Sequence, residues 1–446
     1  MVICFAACLL LFFGALATIL SSKKAGDADD DSTETDRYYF PVPGGASVQS
    51  TLPSADDVTP RVPTTKVTRK PLSQRPLLCS YKRDMKPDYP YPPDGLCDFL
   101  FHTFGVLPEG FNYNEYEEIT DDDKALLAKF KEEAMKSKTT EFGIDMYDHF
   151  ENATIITLST DEGKAAVKAL WGYKIVHYAV LDYIVYARGD HFVMKISMLA
   201  KLLLDLRDEF RSLHEAANSF FFLGIGSISE DTYDDQAGIL KYAMSHILPD
   251  AVLYRTARTD CIAYHDCTFS PPALWDPGNT TTQMSFDGAF RMRSWSTWPS
   301  SVVQMISFSP AIAYMEDEEH FKFNKRCDTY YLKPASFKCS EENKAANGSV
   351  ITTAPNGMDV YRLTVEDEDS TPLYSFAGYD TPESMKRKMC KTVVEHKFTG
   401  GWAMLDMEYS IVDGEGCNDT DYQGNYQMVQ ALSDLMKINF TAKDCP

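Results

Sequence analysis

Eight apolar strand signals that alternate with helical ones over about 370 residues predict an α/β fold, a (β/α)8 TIM barrel with additions. Two further features shape that expectation. From Tyr374 to Cys417 the chain reads as a strand, a capped helix and a buried strand ending in acids, as at the close of such a barrel. Between Met315 and Pro372 the alternation lapses into a polar, cysteine-bearing segment that reads as an inserted subdomain.

The strands come in order. Leu77–Ser80 and Leu96–Phe104 are short and apolar, and they supply the first two. Thr120 then caps a helix through Lys138, with Asp121, Asp122 and Asp123 complementing the positive end of its dipole. Glu141–Tyr147 is the third strand, a helix begins over Asp161–Leu170, and His177–Tyr186 is the fourth strand, rich in aromatic and β-branched residues. Leu199, Leu202, Leu203, Leu206, Phe210 and Leu213 form one apolar stripe, the mark of a helix packed on a core. Ser219–Ile225 is the fifth strand, followed by a helix over Asp235–Leu248 that Pro249 stops. Ala251–Tyr254 is the sixth strand and Val302–Tyr314 the seventh. Thr381 then serves as N-cap with Pro382 at the first helical position, and Met385, Met389, Val393 and Val394 give the helix an apolar face. After Gly400–Gly401, the run from Trp402 to Leu405 is apolar on both parities, as in a strand covered on both sides. Asp406 and Glu408 fall at its end, where a barrel of this kind presents its functional mouth.

Ahead of the barrel, Val2–Leu20 carries no charge and is followed by Lys23–Lys24. Residues 1–20 read as a signal peptide or a signal anchor. Ala15–Leu16–Ala17 offers a small-x-small cleavage site, while basic residues only on the far side disfavour an anchor with the body outside. Either reading exports the body, to the extracellular space or the lumen of the secretory pathway, free or held by a single-pass anchor. Residues 21–75 are rich in Asp, Ser, Thr, Pro and Gly without apolar periodicity, which reads as a disordered stalk ahead of a barrel domain over 76–446. Asn152, Asn279, Asn347, Asn418 and Asn439 each open an Asn-x-Ser/Thr sequon, and five in one body suggest glycosylation. Nine cysteines beyond the leader, widely spaced, fit disulfides in an oxidising compartment, with one left over.

The net charge is −22, and residues 21–75 hold eight acids and eight bases, so the excess sits in the body. Such a surface repels phosphate backbones and excludes nucleic acid as a partner. The acid runs 316–319 and 366–369 read as solvated faces without calcium-loop spacing. His265 and Asp266 lie between Cys261 and Cys267, which in an exported chain reads as a small disulfide loop rather than a zinc site. No His-Glu-x-x-His, Gly-x-Ser-x-Gly or dinucleotide signature is present, so neither metal nor cofactor is expected.

The segment Gly378, Tyr379, Asp380 and Ser384, followed by Gly400 and Gly401 before an apolar strand, resembles the end of glycoside hydrolase family 18, the chitinases and chitinase-like lectins. The resemblance runs in order from Pro76 to Cys417, with its distinctive motifs in the last forty residues. It implies a Cys79–Cys97 disulfide and a small α+β subdomain at about 315–372, between strand seven and the last helices. The family carries Asp-x-x-Asp-x-Asp-x-Glu on strand four. Its last Glu protonates the leaving oxygen, and the preceding Asp orients the substrate's N-acetyl group, which serves as nucleophile. Here, placing Asp182 in the motif's opening Asp-x-x-Asp sets Ile184 at the orienting position and Tyr186 at the acid. A tyrosine, with an ordinary pKa of about 10, does not replace that Glu. Strand three lacks the family's Ser-x-Gly-Gly, and Leu405 stands where a sugar-stacking Trp lies. The resemblance therefore implies a degenerate member, catalytically inactive, binding chitin-type or N-acetylglucosamine-type glycans or an extracellular protein. Tyr147, Tyr183, Tyr186 and Trp402 are the candidate aromatic faces for a ligand, with Asp406 at the rim. The alternative is a glycoside hydrolase that uses displaced carboxylates, for which Asp182, Asp406 and Glu408 are the candidates.

Overall fold

Eight parallel strands close on themselves. They are β1 (Leu77–Tyr81), β2 (Phe99–Thr103), β3 (Glu141–Asp145), β4 (Ile175–Val180), β5 (Phe221–Ser227), β6 (Ala251–Tyr254), β7 (Val303–Phe308) and β8 (Gly401–Met404). Their order is β4-β3-β2-β1-β8-β7-β6-β5, and β4 pairs with β5 to complete the ring. The computed structural model describes residues 71–445 except 83–84, 104–105, 113–118, 147–151, 182–183, 186–189, 214–217, 228–246, 258–270, 277–283, 318–328, 335–349, 354–356, 369–370 and 412–424.

Strands buried on both faces need no polar alternation, and β1, β2, β6 and β8 are buried at every position. One parity fills the barrel: Leu78, Phe101, Ala179, Phe222, Leu253, Met305 and Ala403 cluster there. The other parity, with Cys79, Tyr178, Tyr254 and Trp402, joins the layer beneath the helices. Gly400 and Gly401 are required by close approach. A Cβ on Gly400 would lie 1.9 Å from the Gln304 carbonyl oxygen, and one on Gly401 would lie 2.6 Å from that of Pro76. The paired glycines thus let β8 slide between β7 and β1.

The outer helices are α1 (Asp121–Lys136), α2 (Asn152–Ser159), α3 (Asp161–Trp171), α4 (Asp190–Leu213), α5 (Phe286–Trp295), α6 (Pro382–Val394) and α7 (Gln427–Met436). Thr120 and Asp123 form a reciprocal capping box on α1, and Thr381 and Ser384 do the same on α6. The helix expected over Asp235–Leu248 lies largely outside the described residues. Three helices were not foreseen, α2, α5 and α7. In α5 an internal Gly288 and three aromatic residues weaken the local helical signal, and the Ser285 cap and buried Phe286, Ala289 and Met292 supply what propensity does not.

The seventh strand is shorter than its apolar run. Ser309 and Pro310 break it, because proline has no N–H for the ladder, and the chain restarts as Ile312–Asp317 in a second sheet. That sheet is antiparallel, in the order Thr329–Lys333, Ile312–Asp317, Thr371–Tyr379, Val360–Glu368, Val350–Thr353. The insertion therefore spans 312–379, wider than the expected 315–372, and its described residues form strands without a helix. The fourth strand is likewise divided: β4 ends at Val180, and Ile184–Val185 pairs separately with β5.

The expected Cys79–Cys97 disulfide is present, and a second joins Cys390 of α6 to Cys445. Among the described residues no helix is long and apolar enough to cross a membrane; the leader lies outside them.

Candidate functional site

At the C-terminal end of the barrel the inward parity turns polar. Ser80, Thr103, Asp145, Arg255 and Ser307 stand on it at or just beyond the ends of β1, β2, β3, β6 and β7, while Asp406 follows β8 on the other parity, that of Met404, and none of the six is more than 6% exposed. Asp145 uses both oxygens on the scaffold: Oδ2 accepts from Thr103 Oγ1 at 3.1 Å and Oδ1 from the Leu181 N–H at 3.0 Å, which laces the ends of β2, β3 and β4 together. Ser307 Oγ accepts from the Thr256 N–H at 3.0 Å and ties β7 to β6.

The two acids of strand eight are held the same way. Asp406 sits in the left-handed backbone region, at φ 59° and ψ 47°, a conformation that costs an L-residue about 1–2 kcal/mol and that Asp tolerates better than most. This bend lets the carboxylate reach across to β1, where Oδ1 lies 3.2 Å from Lys82 Nζ. Glu408, on the 3₁₀ turn Met407–Ser410, accepts from the Lys82 backbone N–H at 3.2 Å. Burial, and then the charge of Asp406, push the Glu408 carboxyl well above the usual range; Lys82 opposes them without prevailing. Beside it, Tyr81 Oη donates to Tyr426 Oη at 2.5 Å, and Tyr426 Oη donates in turn to the Pro90 carbonyl. Glycosidase carboxylates flank the scissile bond from opposite sides, roughly 5–10 Å apart. Asp406 and Glu408 instead leave one strand end together, buried, and both meet Lys82.

No protein-family model matches the sequence, and no curated protein matches it. Solved structures do. A Group IV chitinase of Ostrinia furnacalis superposes with a TM-score of 0.56 at 15% identity, covering 81% of this chain and 99% of its own. A class V chitinase of Nicotiana tobaccum in complex with NAG4 gives 0.54 at 9%, covering 82% and 100%. A GH18 chitinase of Cycas revoluta in complex with (GlcNAc)4 gives 0.51 at 11%, covering 81% and 99%. The fold is chitinase-like.

In this chitinase-like barrel the resemblance motif serves the scaffold. Asp380 accepts from Ser384 Oγ at 2.8 Å and pairs with Lys388 Nζ at 2.8 Å. Lys388, fully buried on α6, also meets Asp359 at 3.0 Å and donates to the Ala273 carbonyl at 2.6 Å. Asp359 accepts from the Trp275 N–H at 3.1 Å. The motif acid thus binds α6 to the inserted sheet's approach and to the segment after β6. Burial raises the Asp380 pKa despite Lys388; burial also works against the Lys388 charge, but the two carboxylates outweigh it and hold the ammonium above its ordinary range. The signal was in the sequence: Lys388 stands three residues after Met385, on the face read as apolar, and a lysine there needs a buried partner.

Trp402, expected as a ligand face, is 0% exposed and packs under the helices, stacked on Phe308 at 5.6 Å and edge-on to Phe398 at 5.5 Å. Its parity on β8 is the outward one, so it faces away from the mouth. Asp406, expected at the rim, is buried at the seam of β1 and β8. Tyr147, Tyr183, Tyr186 and Asp182 lie outside the described residues, as do His265, Asp266, Asn279, Asn347 and Asn418. Asn152 opens α2, and Asn439 is exposed after α7.

Proposed function

We propose that this is an exported chitinase-like protein that binds carbohydrate of the chitin or N-acetylglucosamine type at its barrel mouth and does not hydrolyse it. One observation carries the reading: the described acids at the strand ends are buried and held by scaffold partners. Asp145 is committed to Thr103 and Leu181, Asp406 to Lys82, and Glu408 is buried against the Lys82 backbone. A general acid must reach the leaving oxygen within hydrogen-bond distance, directly or through one water; Asp145 has both oxygens engaged, and Asp406 and Glu408 each keep one oxygen without a partner but buried. The Tyr186 alignment at the family's acid position points the same way.

Carbohydrate as ligand is supported by the superposition on chitinases whose structures hold NAG4 and (GlcNAc)4. Sugar binding needs aromatic faces and polar rims rather than a proton donor. Tyr147, Tyr183 and Tyr186, which follow strands three and four, supply the faces in this reading; Trp402 and Asp406, both buried, do not. Export is supported by the uncharged leader, the sequons and the two disulfides.

The test is release of fluorophore from a labelled chitooligosaccharide at acidic and neutral pH. No release above the protein-free blank is expected. Release that disappears in Asp406→Asn or Glu408→Gln would instead establish a hydrolase with displaced carboxylates.

A further inference from the structure

We infer that Asn439 is a glycan acceptor that closes when Cys390 and Cys445 join, so that oxidation of the C-terminal cysteine and glycosylation compete for the same turn. The inference rests on the reading of this chain as exported. Asn-x-Ser and Asn-x-Thr share two groups, the Asn amide and a hydroxyl two residues on, so an enzyme that reads the sequon must engage both. In Asn439–Phe440–Thr441 the amide residue is exposed, but the hydroxyl is engaged. Thr441 Oγ1 donates to Asp444 Oδ2 at 2.7 Å and accepts from the Lys443 N–H at 3.3 Å. The Thr441 N–H donates to the same Asp444 oxygen at 2.7 Å, and the Asp444 N–H returns to the Thr441 carbonyl at 2.9 Å. Phe440, between them, is 8% exposed.

The disulfide pins this turn. Cys390 is fully buried on α6, and its bond to Cys445 fixes the residue next to Asp444. Both sulfurs pack against the Thr441 carbonyl oxygen, at 4.0 and 3.7 Å. With Cys445 released, Phe440 still anchors the start of the segment, but the hydrogen bonds that engage the Thr441 hydroxyl are exposed, and such bonds open readily. Glycosylation forms a bond from Asn439 Nδ2 to the anomeric carbon of a phosphate-activated oligosaccharide; the phosphate leaves with the bonding pair, and the amide gives up a proton. Closure transfers two electrons from the Cys390 and Cys445 thiols to a disulfide exchange partner, with loss of two protons. Whichever reaction comes first decides whether Asn439 is modified.

The test expresses the full chain in a eukaryotic secretory host and measures occupancy at each sequon by peptide mass spectrometry. Cys445→Ser and Cys390→Ser are expected to raise Asn439 occupancy severalfold over the wild type, with Asn152, Asn279, Asn347 and Asn418 unchanged. Equal occupancy of Asn439 in all three chains overturns the inference. If a variant raises all five sites together, it has unfolded, and wild type expressed under a mild reductant pulse decides: a rise at Asn439 alone upholds the competition, and no rise there ends it. A chain with glycan at none of the five sites defeats the export reading and this inference with it.

Discussion

Lys388 Nζ lies 2.8 Å from Asp380 Oδ1, with both side chains buried. This pair connects the most family-like residues of the sequence to stability rather than to chemistry. Asp359 completes the group from the approach to the inserted sheet, at 3.0 Å.

Lys388→Met should therefore strand two buried carboxylates. Breaking a buried ion pair from one side costs about 3–5 kcal/mol, and loss of that size is expected in urea unfolding. Asp380→Asn, which leaves Asp359 to pair with Lys388, should cost less.

Glu408 should weaken the fold as pH rises. Its folded pKa is raised, by burial first and by Asp406 second, whereas the unfolded side chain ionises near its ordinary value of about 4.3. Above that value the unfolded chain holds fewer protons than the folded one, so stability falls with rising pH until the folded carboxyl also ionises. Glu408→Gln keeps an acceptor for the Lys82 N–H and removes the titration. Its Tm should gain on the wild type as pH increases from the carboxylate range toward neutrality; parallel curves would contradict this.

His102 acts on the acid side. It is fully buried, its Nδ1–H donates to the Thr103 carbonyl at 2.9 Å, and burial lowers its pKa to about 3. Between about pH 6.5 and 3 the unfolded chain binds the extra proton, so stability falls as pH falls, by about 1.4 kcal/mol per pH unit. NMR should show the His102 ring neutral throughout that range, and His102→Asn should have a shallower acid limb.

Trp402→Ala should cost about 3–5 kcal/mol, the usual range for a large aromatic removed from a core. Trp402→Phe, which keeps most of the packing against Phe308 and Phe398, should bind chitotetraose as the wild type does. A specific loss of affinity in that folded variant would return Trp402 to the ligand site.

The barrel was legible because parallel strands covered on both faces leave continuous apolar runs, as at Ala251–Tyr254, where expectation and structure coincide. The capping of α6 by Thr381, with Pro382 behind it, was legible for a local reason: side chain and backbone three residues apart satisfy each other. The site was less so. Parity assigns Trp402 to one face of β8, but a run apolar on both parities does not say which face is the barrel interior. Asp406 and Glu408 were visible as acids, yet their partner Lys82 is more than 300 residues away in sequence, and pairing across the closure of the barrel leaves no local signature. Lys388 was the opposite case, a charge on an apolar helical face that announces a buried partner without naming it.

Isothermal titration of the protein with chitotetraose separates binding from hydrolysis in one measurement, because the two have different heat signatures. A protein that binds without turnover should give injection heats that saturate, each returning to the starting baseline. Absence of heat at millimolar ligand would contradict carbohydrate binding, and a sustained thermal power after each injection would contradict the loss of hydrolysis.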